Sequence, residues 1–516
     1  MTTAQAPAHE PQPASNLRDA TAGAAWTYLL ESLELEAILT VGRPGSASAR
    51  TLERVARRVR VVDDLHGELP TAAFDLIYVT PASARILREP SALTRLIDAL
   101  TPRGQLVVED PRAAGGLPDA SIPSDEFWVT PARGEVRSAV PLLERGIRDF
   151  FIRAGITVPS MPRAFRIIDR VAPVAASRGR TIAVTRPRGP GLSTGRTGIS
   201  PTPVPAYVRA IAKAAGIELD DYRFGLSARG RYSSRKVVFY LFGPEADGPA
   251  IIVKTTRDPV HNGRLSNEEA ALRHVASSRL ADPGTYPAVQ FAGTHGGLQL
   301  VGEEAIDGEL MARRALLVDA SLAYAWLTEL GIASAKRGAS EAAVVRSTVE
   351  STVAAVERSY AMAAAEAHRL REAAAQLIEL ADRVPLVMMH GDPTSGNAVR
   401  RADGRIAFLD WESATPDGLP LWDVFHFARS HRLDVARLRR LARRPHRLVT
   451  ALWTDPTLER AVADYVRLLE IPPAAVKPLF ITGWAHRAVK EVSRLPADGL
   501  GRGRYIGLLR AALEAL

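Results

Sequence analysis

The segment 388–412, MMHGDPTSGNAVRRADGRIAFLDWE, places side chains that bind cations and accept protons at short spacing. Asp392 and Asn397 are five residues apart in one predicted loop, and Asp410 follows thirteen residues later at the end of an apolar strand. Phosphoryl transfer from ATP to a hydroxyl needs a carboxylate that orients the alcohol and accepts its proton. It also needs oxygen ligands for Mg²⁺. The loop and the strand end could supply both at one cleft.

The elements around this segment predict two lobes with a cleft between them. Residues 222–228 and 235–243 have the pattern of a β-hairpin, and residues 250–256 that of a third strand. Beyond about residue 309 the chain is mainly helical, including an Ala-rich amphipathic stretch from about 354 to 384. A small β-rich lobe is thus followed by a large helical lobe.

The motif HGDPTSGN followed by FLDWE resembles the catalytic and metal-binding motifs of the aminoglycoside phosphotransferase and choline kinase family, which has the protein-kinase-like fold. The resemblance implies that Asp392 is the catalytic base and that Asn397 and Asp410 hold Mg²⁺, with ATP as the phosphate donor. His390 and Asp423, the latter in PLWDVFHF, would support the catalytic loop. The resemblance extends over about residues 220–500. The alternative is two Asp-capped turns in an unrelated fold.

The family also requires a lysine on the third strand of the β-lobe and a glutamate on the next helix. AIIVKTT supplies Lys254, and SNEEAALRHV supplies Glu268. Glu269 is the rival partner, but Glu268 has Leu272 and Val275 on its own face at i+4 and i+7. Since only six of the 66 basic residues are lysines, a lysine at this position is informative, although a surface lysine remains the alternative.

Two further features of the family can be located less directly. The loop SARGRYSSRK has one glycine, Gly230, where protein kinases have three, and the metal motif is Asp-Trp-Glu rather than Asp-Phe-Gly. Both variations are found in the small-molecule branch of the family. By the order of elements, the hinge is LQLVGEEAIDGE (298–309), and its backbone from Glu304 to Ile306 would bind adenine.

The first part of the chain predicts an α/β Rossmann-like domain, because strands and helices alternate at the spacing of right-handed βαβ units. The predicted strands are 37–41, 59–64, 74–79 and 105–110, and the predicted helices are 49–57 and 93–100. The order resembles a class I SAM-dependent methyltransferase, with 148–158 and 180–187 as its closing helix and hairpin. Asp63 lies where a carboxylate would bind the ribose.

The loop of this methyltransferase-like domain departs from the family pattern. Thr40 replaces the acidic residue, and Pro44 and Ser46 replace the second and third glycines of the GxGxG motif. A proline and a side chain there obstruct close approach of the backbone to a cofactor. We therefore expect a non-catalytic domain that offers a surface to a protein partner or recruits substrate. An active methyltransferase and a site for another nucleotide or a sugar are the alternatives.

The Pro/Gly/Ser-rich stretch RPRGPGLSTGRTGISPTPVP divides the chain. The predicted domains are a disordered tail 1–16, the methyltransferase-like domain 17–186, a linker 187–205, a kinase-like N-lobe 206–308 and a helical C-lobe 309–516. The part after about residue 200 is expected to fold alone and bind ATP.

Composition excludes several classes of protein. The net charge is +9, but 60 of the 66 basic residues are arginines in an Ala-rich chain, which indicates coding bias rather than a nucleic-acid surface. Cysteine is absent, so disulfides and thiol chemistry are excluded. No apolar run is long enough to span a membrane, and the first sixteen residues lack the basic residues of a signal peptide. A cytoplasmic protein without nucleic-acid or membrane partners is expected.

These observations predict an ATP- and Mg²⁺-dependent phosphotransferase that acts on a hydroxyl of a small molecule. Residues 413–516 contain 17 Arg and Lys against 10 Asp and Glu, and six of the arginines lie between 437 and 447. Because like charges repel, this balance disfavours a polycationic aminoglycoside and favours a sugar, a glycan intermediate or a related metabolite. The alternatives are a catalytically silent pseudokinase scaffold and a bifunctional protein with an active methyltransferase domain.

Overall fold

The structure is a computed structural model of the 516-residue chain. It describes residues 22–42, 52, 56–111, 123–130, 136–154, 156, 181–185, 202–228, 236–313, 320–434, 442–492 and 503–516. Several predictions concern residues outside these ranges: the tail 1–16, most of the helix at 49–57, the loop positions Pro44 and Ser46, most of the linker 187–205, Gly230, and the arginines 437, 439 and 440.

The strands predicted in the first part of the chain are confirmed. Strands β1 (Leu35–Val41), β2 (Ala56–Val62), β3 (Phe74–Val79) and β4 (Leu100–Glu109) pair in parallel in the order β2–β1–β3–β4. Helix α1 (Pro90–Ala99) connects β3 to β4. Strand β2 begins at Ala56, within the range 49–57 that the sequence pattern predicts as helical. The central strands are apolar on both faces because each face is covered by its own hydrophobic core.

Three further strands extend this sheet with antiparallel pairing. They are β5 (Ser124–Thr130), β6 (Ser138–Pro141) and β7 (Thr181–Thr185), and β7 lies between β4 and β5. Helix α2 (Arg145–Arg153) follows β6 and buries Ile147 and Phe151. It overlaps the helix expected at 148–158, and β7 lies within the hairpin stretch expected at 180–187.

The predicted β-rich lobe is also present. After helix α3 (Ala206–Ala214), strands β8 (Arg223–Ser227), β9 (Val237–Phe242) and β10 (Ile251–Thr255) form an antiparallel meander. Helix α4 (Asn262–Ser278) follows, and β11 (Val289–His295) and β12 (Leu298–Glu304) complete the order β11–β12–β10–β9–β8. Strand β10 therefore lies in the middle of this lobe.

The two groups of strands form one continuous sheet of twelve strands. Strands β6 and β8 join them, with Ser138 opposite Ser227 and Ala139 opposite Leu226. The sequence predicts two sheets separated by a linker, and it contains no signal for this pairing. The predicted domain boundaries remain a proposal.

A shared hydrophobic core lies beneath the junction. Trp26, Tyr28 and Phe127 from the first part pack in one cluster with Tyr207 and Phe239 from the second. The hydroxyl of Tyr207 donates to the carbonyl oxygen of Tyr28 at 3.0 Å, and the hydroxyl of Tyr28 donates to the carbonyl oxygen of Thr256 at 3.3 Å. Because this core contains residues from both parts, we now expect the second part to depend on the first for its stability.

The remaining chain forms the helical lobe around a second large core that contains Phe408, Trp411, Phe427 and Trp484. Its helices are α5 (Ser321–Ser334), α6 (Ala339–Ser359), α7 (Ala364–Glu379), α8 (Trp422–Asp434), α9 (Pro445–Trp453), α10 (Pro456–Leu468), α11 (Val476–Val492) and α12 (Arg504–Ala515). In the described part of the chain, none of the helices is long and apolar enough to cross a membrane.

Five short strands in this lobe bring residues 390–412 to the edge of the β-lobe. Strands β13 (Glu309–Leu310), β15 (Ala398–Arg400) and β16 (Ile406–Phe408) form one small sheet, and β14 (Val387–Met389) pairs with β17 (Thr415–Gly418). The turns after β14 and β16 carry Asp392 and Asp410.

Replacing Tyr28 with Ala tests the shared core. The substitution removes a buried ring and the hydrogen bond to Thr256, which directly follows β10. Loss of a buried aromatic side chain costs about 3–5 kcal/mol, so we expect amide hydrogens in β10 to exchange at least about a hundredfold faster. Hydrogen exchange measured by mass spectrometry checks this. Trp453→Ala, at a distant and 39% exposed side chain, is the control. Faster exchange confined to residues before 200 would contradict the shared core.

Candidate active site

Lys254 and Glu268 form a buried ion pair. Lys254 lies on β10 and Glu268 on α4, and their Nζ and Oε1 atoms are 2.6 Å apart. Glu268 is fully buried, with Leu272 and Val275 on the same helix face. The rival Glu269 instead bonds Arg273 at 3.0 Å on the outside of the helix. The i+4 and i+7 pattern therefore identifies the inward glutamate.

This pair is ionised in spite of its burial. Burial lowers the pKa of Lys254, but the carboxylates of Glu268 and Glu303 raise it by more, and the net shift is upward. Burial raises the pKa of Glu268, whereas Lys254 and Lys236 lower it below its ordinary value. An ammonium group is thus held at the end of β10, where it can meet an anion.

Sequence reasoning misses Glu303, the second carboxylate on Lys254. Its Oε2 lies 2.7 Å from the Lys254 Nζ, and its side chain is buried on β12. Val301 is opposite Lys254 in the β10–β12 pairing, so Glu303, two residues further, is on the same face. Burial, with a smaller contribution from Glu268, raises the pKa of Glu303 to about 7 although Lys254 opposes the shift. The register of β12, which the sequence does not specify, brings it here.

Sequence reasoning also misses Lys236, which immediately precedes β9. Its Nζ lies 3.0 Å from Glu268 Oε2 and 3.1 Å from Glu412 Oε2, and it contacts Asp410 Oδ1. Val238 is opposite Lys254, so Lys236 lies on the same sheet face. Burial lowers the pKa of Lys236, but Glu268, Asp410 and Glu412 together raise it well above its ordinary value. The signal available in the sequence is a rare lysine at the start of a predicted strand.

The loop after β14 is held by Asp423 at the start of α8. Its carboxylate accepts hydrogen bonds from the backbone N–H of His390 at 2.7 Å and of Gly391 at 3.2 Å. Burial raises the pKa of Asp423, an effect that His390 and the Gly391 N–H partly offset. Gly391 has φ = +79°, and a Cβ there would collide with the carbonyl oxygen of Ser413. Only glycine fits this turn.

His390 connects the loop to the following hairpin. Its Nε2 donates to the carbonyl oxygen of Leu409 at 3.0 Å, and its Nδ1 accepts from the N–H of Asp392 at 3.3 Å. Burial lowers the pKa of His390, although Asp423 and Asp392 oppose the shift. The neutral ring thus fixes the backbone on both sides of the turn.

The carboxylate of Asp392 is held by two residues that sequence reasoning misses. His426 Nε2 on α8 lies 3.0 Å from Asp392 Oδ1, and Arg487 Nη2 on α11 lies 2.8 Å from the same oxygen. Arg487 also donates from Nη1 to the carbonyl oxygen of Gly391 at 2.6 Å. These residues lie 34 and 95 positions away along the chain, so no local motif includes both.

Electrostatics keep Asp392 ionised. Burial raises its pKa, but the hydrogen bond from His426 and the guanidinium of Arg487 bring it well below its ordinary range. Burial and the charge of Arg487 lower the pKa of His426 to about 3. The imidazole is therefore neutral and donates its Nε2–H to Asp392. The carboxylate side chain is 30% exposed and remains accessible to a ligand.

Asn397 and Asp410 lie on either side of the same hairpin. The Asn397 Nδ2 donates to the carbonyl oxygen of Asp392 at 3.0 Å, which leaves Oδ1 as its oxygen for a cation. Asp410 has φ = +69°, and the next N–H, that of Trp411, donates to Glu268 Oε1 at 3.1 Å. Burial raises the pKa of Asp410, but Lys236 and Lys254 lower it by more. The pair offers hard oxygen ligands, the kind that Mg²⁺ prefers.

Two observations concern the metal and the hinge. In the described part of the chain, no group of three or more His, Cys, Asp or Glu side chains is arranged to hold a metal ion. Mg²⁺ commonly keeps several water ligands and binds only one or two protein side chains together with phosphates, so two protein ligands such as Asn397 and Asp410 are a usual number. At the predicted hinge, the backbone N–H groups of Glu304 and Ala305 donate to the carbonyl oxygens of Ala288 and Ala250. Ile306 follows directly after these two hydrogen-bonded residues.

Residues 228–476, just under half of the chain, match the sequence profile of the Phosphotransferase enzyme family (APH). The C-terminal part therefore contains a domain of this family, with its kinase-like fold. None of the curated proteins is similar enough in sequence to match the chain.

Solved structures that are similar to this chain include two phosphotransferases and the protein WbdD. Choline kinase LicA from Streptococcus pneumoniae is 12% identical, with a TM-score of 0.37 over 54% of this chain and 89% of that one. Aminoglycoside phosphotransferase APH(3'')-Id from Streptomyces rimosus is 12% identical, with a TM-score of 0.29 over 48% of this chain and 89% of that one. WbdD, in complex with the kinase inhibitor LY294002, is 13% identical, with a TM-score of 0.25 over 87% of this chain and 88% of that one. At these scores the assignment rests on the sequence profile.

The raised pKa of Glu303 leads to a prediction about stability. Its carboxyl group titrates at about 7 in the folded chain against an ordinary value of 4.5, so the folded chain binds more protons between these values. The free energy of unfolding therefore falls as the pH rises through this window. Relative to Glu303→Gln, the wild type should lose about 3 kcal/mol between pH 4.5 and 7.

Denaturant unfolding at a series of pH values measures this difference. Glu304→Gln, at the neighbouring exposed residue of β12, is the matched control and should follow the wild-type curve. Parallel curves for the wild type and Glu303→Gln would show that Glu303 is not held in a protonated state.

Proposed function

We propose that this protein transfers the γ-phosphoryl group of ATP to a hydroxyl group of a small molecule in a Mg²⁺-dependent reaction. The observation that carries the proposal is a pair of charged networks in the segment 390–412 and the elements packed against it. In the first, Lys254 pairs with Glu268, and Lys236 joins Glu268 to Asp410. The second consists of Asp392 and its two donors, His426 and Arg487. The match of residues 228–476 to a phosphotransferase family supports the same chemistry.

Lys254 is positioned to bind the phosphates of the nucleotide. Its ammonium group is a compact charge fixed by Glu268 and Glu303, so it can meet phosphate oxygens without first being ordered. The backbone of Glu304 to Ile306, at the end of β12, is the proposed adenine contact. Asn397 and Asp410 are the proposed ligands of Mg²⁺, which when bound neutralises negative charge on the phosphates.

Asp392 is proposed to orient the acceptor hydroxyl and to receive its proton. As the hydroxyl oxygen forms a bond to the γ-phosphorus, the bond from that phosphorus to the β–γ bridging oxygen breaks, and ADP leaves. The hydroxyl proton passes to the Asp392 carboxylate. Because the pKa of Asp392 is held low, the group stays ionised before the transfer and takes the proton only as the O–P bond forms.

The acceptor class follows from charge. The lobe that carries Asp392 also carries Arg487 beside it, and residues 413–516 are basic as a whole. A polycationic aminoglycoside would meet like charges at this site. A sugar, a glycan intermediate or a related metabolite is the proposed acceptor.

For the first part of the chain we propose a Rossmann-like, methyltransferase-like domain, residues 17–186, without methyl transfer. Its four parallel strands and the inserted antiparallel β7 support the fold. Thr40, where that family has its acidic residue, is fully buried in β1, which supports the lack of activity. Calorimetry on the full chain should detect no binding of SAM. Micromolar binding would instead favour a bifunctional protein.

Substitution of Asp392 tests the proposed transfer. We expect Asp392→Asn to reduce acceptor-dependent ATP consumption by about 10²–10⁴-fold, because the proton acceptor is lost. Binding of Mg²⁺ and ATP, measured by calorimetry, should change little, since Asp392 is proposed to contact the acceptor. Asp382→Asn, at an exposed carboxylate paired with Arg346, is the matched control.

A panel of neutral, anionic and cationic hydroxyl compounds supplies the acceptors for this assay. ATP consumption that is the same in the wild type and Asp392→Asn would overturn the proposal. Binding of Mg²⁺ and ATP without consumption on any acceptor would favour a catalytically silent scaffold.

A further inference from the structure

Arg429 is a buried cation close to Asp392 that the proposed transfer does not use. It lies on α8 three residues after His426, so both side chains project from the same side of the helix. Its side chain is only 8% exposed. Its guanidinium group lies 4.7 Å from the ring centre of Tyr505 on α12, and its Nη1 is 3.5 Å from the Tyr505 hydroxyl.

Tyr505 connects Arg429 to the Asp392 carboxylate. The guanidinium group of Arg487 lies 5.2 Å from the centre of the same ring, and its Nη2 is 2.8 Å from Asp392 Oδ1. The His426 ring, which also bonds Asp392, is 5.9 Å from Tyr505. A single aromatic side chain, that of Tyr505, therefore lies between Arg429 and the residues that bind the Asp392 carboxylate.

The positive charge of Arg429 has no carboxylate partner in the described part of the chain, and its Nε is buried without a hydrogen bond there. Arg487 is balanced by Asp392, whereas Arg429 has only the Tyr505 ring and hydroxyl. Burial and the charges of Arg504 and Arg487 lower its pKa, with Tyr505 and Glu491 opposing. Glu491 itself accepts the N–H of Tyr505 at 2.9 Å. Burying an unpaired charge beside like charges is costly, unless an anion binds there.

We propose that Arg429 binds an anionic group of the acceptor, a carboxylate or a phosphate, next to the hydroxyl that Asp392 orients. This inference rests on the proposed phosphotransfer and narrows its acceptor from sugars in general to acidic ones. A guanidinium group matches both anions because it can donate two parallel hydrogen bonds to two oxygens. The anchored anion fixes the distance between the acceptor's charged group and its reactive hydroxyl.

Four acceptors with the same sugar ring separate the possibilities: glucose, glucuronate, glucose 6-phosphate and glucosamine. With the full chain, Mg²⁺ and ATP, we expect one of the two anionic acceptors to have the highest kcat/KM, which also distinguishes carboxylate from phosphate. In Arg429→Gln the KM for that acceptor should rise at least tenfold with kcat within about threefold. Arg429→Lys should restore part of the loss. Arg460→Gln, at an exposed arginine on α10, should behave as wild type.

A binding measurement keeps this inference separate from the proposed function. With ADP and Mg²⁺ saturating, inorganic phosphate or acetate should raise the thermal unfolding temperature of the wild type more than that of Arg429→Gln. If no acceptor is consumed, the transfer proposal fails, and this shift alone decides the anion site. Three results would overturn the inference. The first is an equal shift of the unfolding temperature in the wild type and Arg429→Gln. The others are a kcat/KM for glucose or glucosamine that equals or exceeds those of the anionic sugars, and an unchanged KM in Arg429→Gln.

Discussion

The carboxylate of Glu268 is completely buried, and a buried charge is tolerated only when opposite charges and donors surround it. Its two oxygens meet Lys254, Lys236 and the N–H of Trp411. Those partners come from the strand β10, the start of β9 and the turn that carries Asp410. One side chain on α4 thus fixes the β-lobe against the turn that carries Asp410, the proposed magnesium ligand.

A second electrostatic arrangement lies in the helical lobe. Asp423 holds the backbone of the loop after β14, while His426 and Arg487 hold the Asp392 side chain. The two arrangements differ in what they leave accessible. The carboxylate of Glu268 is fully buried among its partners, whereas the side chain of Asp392 is partly exposed and accessible to a ligand. The arrangement around Glu268 therefore holds the two lobes together, and the arrangement around Asp392 is suited to contact a substrate.

Much of this site could be predicted because its parts are encoded locally. A loop motif, a strand end and one helix face place Asp392, Asn397, Asp410 and Glu268, and the alternation of apolar runs predicts the strands. Lys236 and Glu303 reach the site through strand register, and Arg487 through the packing of α11, which no short pattern records. The pairing of β6 with β8 joins segments almost ninety residues apart through four small or apolar residues, so the continuous sheet could not be foreseen.

The affinity for Mg²⁺ and ATP in Glu268→Gln, measured by calorimetry, tests most directly whether Glu268 assembles the proposed nucleotide site. Its neighbour Glu269, on the outer face of α4 and paired with Arg273, provides the matched variant Glu269→Gln. Removing one partner of a buried charge pair costs about 2–5 kcal/mol, so Glu268→Gln should weaken binding by about thirtyfold or more. Glu269→Gln should stay within about twofold of the wild type. Wild-type affinity in a folded Glu268→Gln protein would contradict the account.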